Sequence, residues 1–388
     1  MQSTLITYVK NNRSVLVTVI LLLTCVSAFA EPAIEVLDPN FAAPDAEKGL
    51  LWYDALQIGL EGQGWSGDAL KTPYDRLPAK AEGVVRPPVW NLSLHSAGMA
   101  LHFVTDSKTI AARWTLRNEN LAMTHMPATG VSGLDLYARD DKGEWRWCAM
   151  GKPGSKTNEV NLLSNIPEGQ HEFLLYLPLY NGVESLAIGI EKEASLAKGP
   201  ARVEGHNKPI LFYGTSITHG GCASRPGMAH PSIVGRMLDY PVINLGFSGN
   251  GKLDPELLDL LIEQDPAVYV LDCAPNMQPD LIAERTVPFI EGLRKARPDT
   301  PILLVENIVY QQGWFIKGSK DAYVNKNVES RKAFEILKEK GMKNLGYLPC
   351  EDLLGHDSEG TVDGTHPNDL GFYRFAEAMT PALKKLLK

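Results

Sequence analysis

Cysteine is scarce in this sequence, with five among 388 residues. No two form a C-x-x-C pair and none stands at zinc-ligand spacing, which removes the usual dithiol and structural-zinc patterns. Positive charge is also in deficit. The formal net charge is −8, so nothing in the balance attracts nucleic acid or an anionic membrane surface. There is no internal repeat and no low-complexity segment, and nothing points to collagen, disorder or a multi-span membrane protein. What is present is 44% hydrophobic and 22% charged. Such a chain can bury proper cores and is long enough for two domains of roughly 100–200 residues each.

The first thirty residues read as a cleaved export signal. Lys10 and Arg13 supply a positive flank, Val15 to Ala30 is apolar and uncharged, and Ala28-Phe29-Ala30 offers small residues for cleavage. The apolar run falls short of the roughly 20 residues that span a bilayer, so no stable membrane span is expected after cleavage. An uncut anchor is one alternative. Lipidation of Cys25 is another, disfavoured by Thr24 before it. Removing Lys10 and Arg13 with the signal, and no acidic residue, moves the net charge from −8 to −10. The expected location is periplasmic or extracellular. Four cysteines then remain, Cys148, Cys222, Cys273 and Cys350. Export permits disulfides, buried free thiols are equally compatible, and the sequence cannot choose.

The rest divides into two grammars. Residues 31–200 read as a β-sandwich or jelly roll. Short runs at Met99–Val104, Thr109–Leu116, Gly133–Arg139, Glu144–Cys148 and His171–Leu177 are punctuated by turn residues, with a hairpin turn at Asp140–Gly143. Residues 205–388 alternate apolar runs with helical patterns. The runs are Pro209–Tyr213, Pro241–Leu245, Ala267–Leu271, Pro301–Val305 and Asn344–Leu348, and the clearest helices are Leu281–Ala296, Ala322–Lys340 and about Leu370–Leu387. That is the pattern of a parallel five-stranded sheet covered on both faces, an α/β fold. Leu196–Lys208 is the seam.

Reacting groups in such sheets gather where loops leave the carboxyl ends of strands. Four segments follow the runs in this way. Gly214-Thr215-Ser216 offers a hydroxyl near a helix start; Gly246 to Gly251 is a glycine-rich turn; Asn276 follows the third run; and Asp363-Gly364-Thr365-His366 precedes the last helix. The three-residue spacing lets Asp363 reach the far ring nitrogen of His366 and fix its tautomer. Ser216 is too weakly acidic to attack unaided, so His366 is the expected base. N–H groups of Ser216, Gly246 and Asn276 are the expected oxyanion donors. A strand order of 2-1-3-4-5 would place Gly246 and Asn276 on either side of Ser216.

Serine, glycine, asparagine and histidine in this chain order resemble the four blocks of the SGNH, or GDSL-type, hydrolases. The resemblance covers about Lys208 to Lys388. It implies a flavodoxin-like α/β/α sandwich, a Ser-His-Asp triad and esterase chemistry without metal or cofactor. Two departures stand out: Thr215 fills the usual acidic position, and Ala274-Pro275-Asn276-Met277 replaces Gly-x-Asn-Asp. Gly133-Leu134-Asp135-Leu136-Tyr137 resembles the Gly-x-Asp-Leu-Tyr signature of a domain that precedes some bacterial SGNH esterases. It implies a β-sandwich partner.

Competing readings exist. Gly246 to Lys252 has P-loop spacing, but Leu253 sits where a hydroxyl is needed and Asp254 where phosphate would bind. Gly246 to Asn250 nearly forms a G-x-S-x-G elbow, with Asn250 in the last glycine position, so Ser248 is a decoy nucleophile. His219 and His230 could be alternative bases or substrate contacts, or plain loop and helix-end residues. Glu306 and Asn307 could line the pocket or merely cap a strand. Six of seven tryptophans lie in the first half, where core packing is favoured over a sugar-stacking surface. The segment from His125 to Gly130 is either a lid or a connection. The expected activity is hydrolysis of an ester, chiefly acetyl on carbohydrate. Alternatives are an esterase or lysophospholipase on lipid acyl chains, and a carbohydrate-binding protein on a dead hydrolase scaffold. Oligomeric state is not legible.

Overall fold

The computed structural model describes residues 35–388. The expected export signal, with Cys25, lies outside the described residues.

Two antiparallel sheets face each other in the first half. One has five strands in the order Ala43–Asp45, Leu50–Asp54, Val183–Glu191, Thr109–Leu116, Thr157–Ser164. The other runs Leu196–Lys198, Ala100–Thr105, His171–Tyr176, Leu134–Arg139, Trp145–Gly151, with Leu60–Glu61 paired to Ala100–Thr105. Alternate residues along each strand meet between the sheets, as the period of two requires. Ile110, Ala112, Trp114 and Leu116 come from one side, and Leu101, Phe103, Phe173 and Leu175 from the other. Phe103 and Phe173 stack at 5.4 Å. The Asp140–Gly143 turn is present, closed by the Gly143 N–H on the Asp140 carbonyl at 2.8 Å. Gly143 holds φ +79° there, where glycine has no steric cost.

The second half is a parallel sheet in the order Val242–Gly246, Ile210–Gly214, Val268–Asp272, Ile302–Val305, Leu345–Leu348. This is the expected 2-1-3-4-5 arrangement. Ile210 and Phe212 turn to one face, where His230–Leu238 and Asp369–Leu386 pack. Leu211 and Tyr213 turn to the other, against Pro255–Leu261, Pro279–Ala296 and Lys317–Glu339.

Hydrophobic packing also crosses the seam. Leu77, Val85, Val89 and Trp90 of the first half belong to one core of the parallel sheet, and Met126, Val131, Leu179 and Tyr180 to the other. Polar ties reinforce the join. Asp135, the acid of Gly-x-Asp-Leu-Tyr, is fully buried and accepts from the Gly227 N–H and Arg225 Nη1, both at 2.8 Å, and from the Trp147 indole at 2.9 Å. The four described cysteines are free thiols.

Candidate active site

Strand Ile210–Gly214 ends where the chain must turn into a tight four-residue helix, Ser216–His219. Gly214 is required for contact: a Cβ there would lie 2.0 Å from Thr218 Oγ1. Thr215 caps the helix, its hydroxyl accepting the Ile217 N–H at 3.3 Å. Ser216 is thereby the first helical residue. Its backbone N–H has no acceptor among the described residues, as expected at a helix N-terminus.

The Ser216 hydroxyl lies 2.9 Å from His366 Nε2. His366 Nδ1 lies 2.7 Å from Asp363 Oδ2. Asp363 Oδ1 accepts the backbone N–H of His366 at 2.7 Å and of Thr365 at 3.0 Å. The Asp-x-x-His spacing therefore closes a turn on itself, with the ring held by the same carboxylate that holds the backbone. Partial burial raises the Asp363 pKa, but the bonds from His366 and Thr365 outweigh it and hold the carboxyl below its ordinary value. With Nδ1–H donated to Asp363, Nε2 presents a lone pair to the Ser216 hydroxyl.

Asn276 ends the turn after the neighbouring strand Val268–Asp272. Its Oδ1 accepts the Gly251 N–H at 3.2 Å, which leaves Nδ2 without a partner among the described residues. Gly246 requires a correction. Its N–H is donated to Asn244 Oδ1 at 2.9 Å, and a Cβ on it would meet the His219 backbone nitrogen at 2.2 Å. Gly246 is a packing glycine under the Ser216 helix, not a free donor. In the turn that follows, Asn250 and Gly251 donate to the Phe247 carbonyl, while the N–H groups of Ser248 and Gly249 have no partner among the described residues. Gly249 adopts φ +68°, the conformation that reverses the chain at that point.

A cavity of about 470 Å³ opens over Ser216 and His366, lined also by Ser248, Asn250 and Gly221. Its remaining wall comes from the first half, including Asn91, His95, Met123, His125 and Tyr180. The segment at His125 thus overhangs the site, its ring 6.2 Å from that of His366. The Tyr180 hydroxyl donates to the Ser216 carbonyl at 3.3 Å, and its ring stacks on His219 at 4.0 Å. Arg76, also buried, donates to the carbonyls of Asn244 and Gly246 at 2.9 and 2.8 Å. Apart from His125, which begins the segment read as a lid or a connection, none of these first-half residues carries a spacing or motif that singles it out in the sequence.

The sequence profile of the GDSL-like lipase/acylhydrolase family matches residues 207–384. That of the Gly-x-Asp-Leu-Tyr family, the N-terminus of SGNH-hydrolase-type esterases, matches residues 50–196. A solved Bacteroides ovatus protein described as GDSL-like lipase is 37% identical, with a TM-score of 0.81, over 87% of this chain and 98% of that one. The chain belongs to the GDSL-like lipase/acylhydrolase family. More distant likenesses show the fold. A salicylyl-acyltransferase from a tetracycline biosynthetic pathway is 20% identical with a TM-score of 0.68, over 89% of this chain and 97% of that one. An acetyl xylan esterase from the rumen bacterium Butyrivibrio proteoclasticus is 11% identical with a TM-score of 0.54, over 87% and 98%. No curated protein matches the sequence.

Within this GDSL-like chain the competing residues fall elsewhere. His219 is fully buried, its Nε2 2.7 Å from the Leu179 carbonyl, and burial with Arg76 nearby drives its pKa well down. His230 is buried against Phe372 and Phe375, and burial pushes its pKa down to about 3. Neither lines the cavity, so both are neutral core histidines. Ser248 does line it, but its hydroxyl bonds no histidine among the described residues. Asp254, in the P-loop-like segment, is paired by Arg86 and Arg285 at 2.7 Å each. Glu306 and Asn307 stay away from the cavity. Glu306 clusters with Cys350 and Glu351, a set of potential metal ligands. Its carboxylate is already bonded by Arg331, Tyr347 and the Cys350 N–H. Trp52, Trp90 and Trp114 are core residues, whereas Trp147 and Trp314 are exposed.

Proposed function

We propose that this GDSL-like protein is an exported serine esterase that removes small acyl groups, chiefly acetyl, from carbohydrate. The observation that carries the reading is the Ser216 Oγ–His366 Nε2 contact of 2.9 Å, continued at 2.7 Å to Asp363. Ser216 Oγ attacks the ester carbonyl while its proton passes to His366 Nε2, and Asp363 stabilises the imidazolium. The tetrahedral oxyanion is held by the Ser216 N–H, Asn276 Nδ2 and an N–H of the Ser248-Gly249 turn. Collapse expels the alcohol, which takes the proton from His366. Water then attacks the acyl-enzyme by the same route, releasing the acid and free Ser216. In this reading residues 1–30 direct export to the periplasm or beyond, and the mature chain divides near residues 200–205.

The test is hydrolysis of p-nitrophenyl acetate and longer acyl analogues by the purified protein, beside Ser216→Ala. Short-chain activity that vanishes in the variant supports the proposal. Activity that survives puts the nucleophile elsewhere. A second reading, lipid acyl esters, is favoured by one observation. Trp314, Phe315 and Ile316 are exposed in sequence, Trp314 by 80%. They follow Gln311, whose N–H is donated to the Gly364 carbonyl at 2.9 Å, beside Asp363. A preference for long acyl chains would select it.

A further inference from the structure

We propose that the first half of the chain builds the alcohol-side subsite of this cavity, and that Asn91 and His125 there recognise a neutral pyranoside through its hydroxyl groups. The inference rests on the esterase reading and adds the chemistry of the leaving group to it.

The direction of the reaction locates the subsite. The carbonyl oxygen must lie toward the Ser216 N–H, Asn276 and the Ser248-Gly249 turn. The departing oxygen must lie toward His366, which returns its proton. Whatever borders the cavity next to His366 therefore touches the alcohol. That border is His125, its ring centre 6.2 Å from the His366 ring, with Asn91 and Met123 sharing the same cavity.

The lining decides the chemical class. No Asp, Glu, Lys or Arg lines the cavity. Its third imidazole, His95, is kept neutral at ordinary pH, because burial and the charges of Arg76 and Arg117 push its pKa down to about 3. A phosphate or uronate would lose hydration on entry and meet no lysine or arginine in the lining, a costly exchange. A neutral polyol loses only hydrogen bonds, and donors and acceptors are waiting. The Asn91 amide has no partner among the described residues. His125 has one marginal contact, Nδ1 to the Thr124 hydroxyl at 3.5 Å, which leaves Nε2 open. Asn250, by contrast, is occupied: its Oδ1 accepts from Arg86 at 2.6 Å and its Nδ2 donates to the Ser248 carbonyl at 2.8 Å. Pro88, Leu92 and Met123 add apolar surface for the C–H face of a sugar ring. A volume of about 470 Å³ falls in the roughly 300–1,000 Å³ range of small-molecule sites.

Both residues stand on braced backbone. Asn91 projects from helix Pro87–Ser93, whose Val89, Trp90 and Ser93 are buried. His125 lies in a tight turn closed by reciprocal bonds between Met123 and Met126 at 3.0 and 3.2 Å. That turn is anchored by buried Met126 and by Thr129, which donates to the Ser224 carbonyl at 2.6 Å. Because Asn91 and His125 are exposed, replacing them removes no buried contact.

The experiment compares two esters with the same acyl group, p-nitrophenyl acetate and methyl 2-O-acetyl-β-D-xylopyranoside, in the wild type, Asn91→Ala, His125→Ala and His125→Gln. The ratio of kcat/KM for the xyloside over the phenyl ester should fall about tenfold in each alanine variant, the scale of one lost hydrogen bond. His125→Gln, which supplies a side-chain donor and acceptor, should restore most of it. An unchanged ratio overturns the subsite. So does a wild type that cleaves the phenyl ester through Ser216 and ignores acetylated pyranosides. If neither ester is cleaved, the esterase reading fails. The subsite is then judged by saturation-transfer NMR with methyl β-D-xylopyranoside, where binding lost in both alanine variants supports it and binding absent or unaffected overturns it.

Discussion

Arg76 Nη1 donates to the Gly246 carbonyl at 2.8 Å across 170 positions of sequence. The same guanidinium bonds the carbonyls of Asn244, Leu92 and His95. It has no carboxylate partner among the described residues, and burial lowers its pKa to about 9. It ties the first half to the strand end that leads into the Ser248-Gly249 turn. Arg76→Met should destabilise the fold by about 3 kcal/mol or more, because buried carbonyls are left without donors. Urea unfolding followed by tryptophan fluorescence measures this. A change under about 0.5 kcal/mol, the level of an ordinary surface substitution, would show that the tie contributes nothing.

Asp272 predicts a pH dependence of stability. It is fully buried at the end of the central strand beside Ser216, and burial pushes its pKa up to about 7 against the Thr218 hydroxyl bond that lowers it. The native state therefore holds this proton where the unfolded chain has released it, so its contribution to stability falls as pH rises from 3.8 to about 7. Asp272→Asn keeps an acceptor for Thr218 and removes the titration. Its unfolding midpoint should exceed that of the wild type at pH 8 and approach it at pH 4. Equal gaps at both values would refute the assignment.

The five parallel strands were legible because buried apolar runs bounded by Gly, Pro and Asp have few other homes. Pro209–Tyr213 as read and Ile210–Gly214 as formed differ by one residue. Strands Thr157–Ser164 and Val183–Glu191 were not legible. The first carries Asn158, Glu159 and Asn161 and the second Glu184 and Ser185, so their patterns resemble loop composition. At the site, Ser216, His366 and Asp363 lie within hydrogen-bond distance of one another in turn, and Asn276 bonds the glycine-rich turn at Gly251. Gly246 was misread because a sequence shows which glycines are near but not which amide is already bonded. Asn91, His125, Tyr180 and Arg76 reach the site only through the docking of the two halves. No local pattern encodes contacts of that range.

Asp363 orients His366 through two oxygens, one on the ring and one on the backbone N–H. Asp363→Asn presents an amide that can hold the ring in the wrong tautomer, with Nε2 protonated and unable to take the Ser216 proton. The expected loss in kcat on p-nitrophenyl acetate is about 10³–10⁴. The melting temperature should barely move, because the side chain is 45% exposed. Since Asp363 is held below its ordinary pKa, any stability it contributes is present above that ordinary value and is lost as pH falls through the lowered one. A variant with near wild-type kcat would remove Asp363 from the mechanism.

Asn276 and Gly246 separate donation from packing. Asn276 is half-buried and offers a free Nδ2, so Asn276→Ala should cost about 10²–10³ in kcat. It also gives up the bond to the Gly251 N–H, a modest loss of about 1 kcal/mol in stability. Gly246→Ala should behave in the opposite way. A Cβ at 2.2 Å from the His219 backbone nitrogen has nowhere to go, and backbone cannot yield as a flexible side chain can. The helix that carries Ser216 must shift, and the protein should unfold at markedly lower urea before any kinetic comparison is meaningful. Gly249→Ala, with open space but φ +68°, should cost only about 1–2 kcal/mol of backbone strain. Should Gly246→Ala prove stable while losing rate as Asn276→Ala does, Gly246 would be an oxyanion donor after all, and the Asn244 side chain would have to release its N–H when substrate binds.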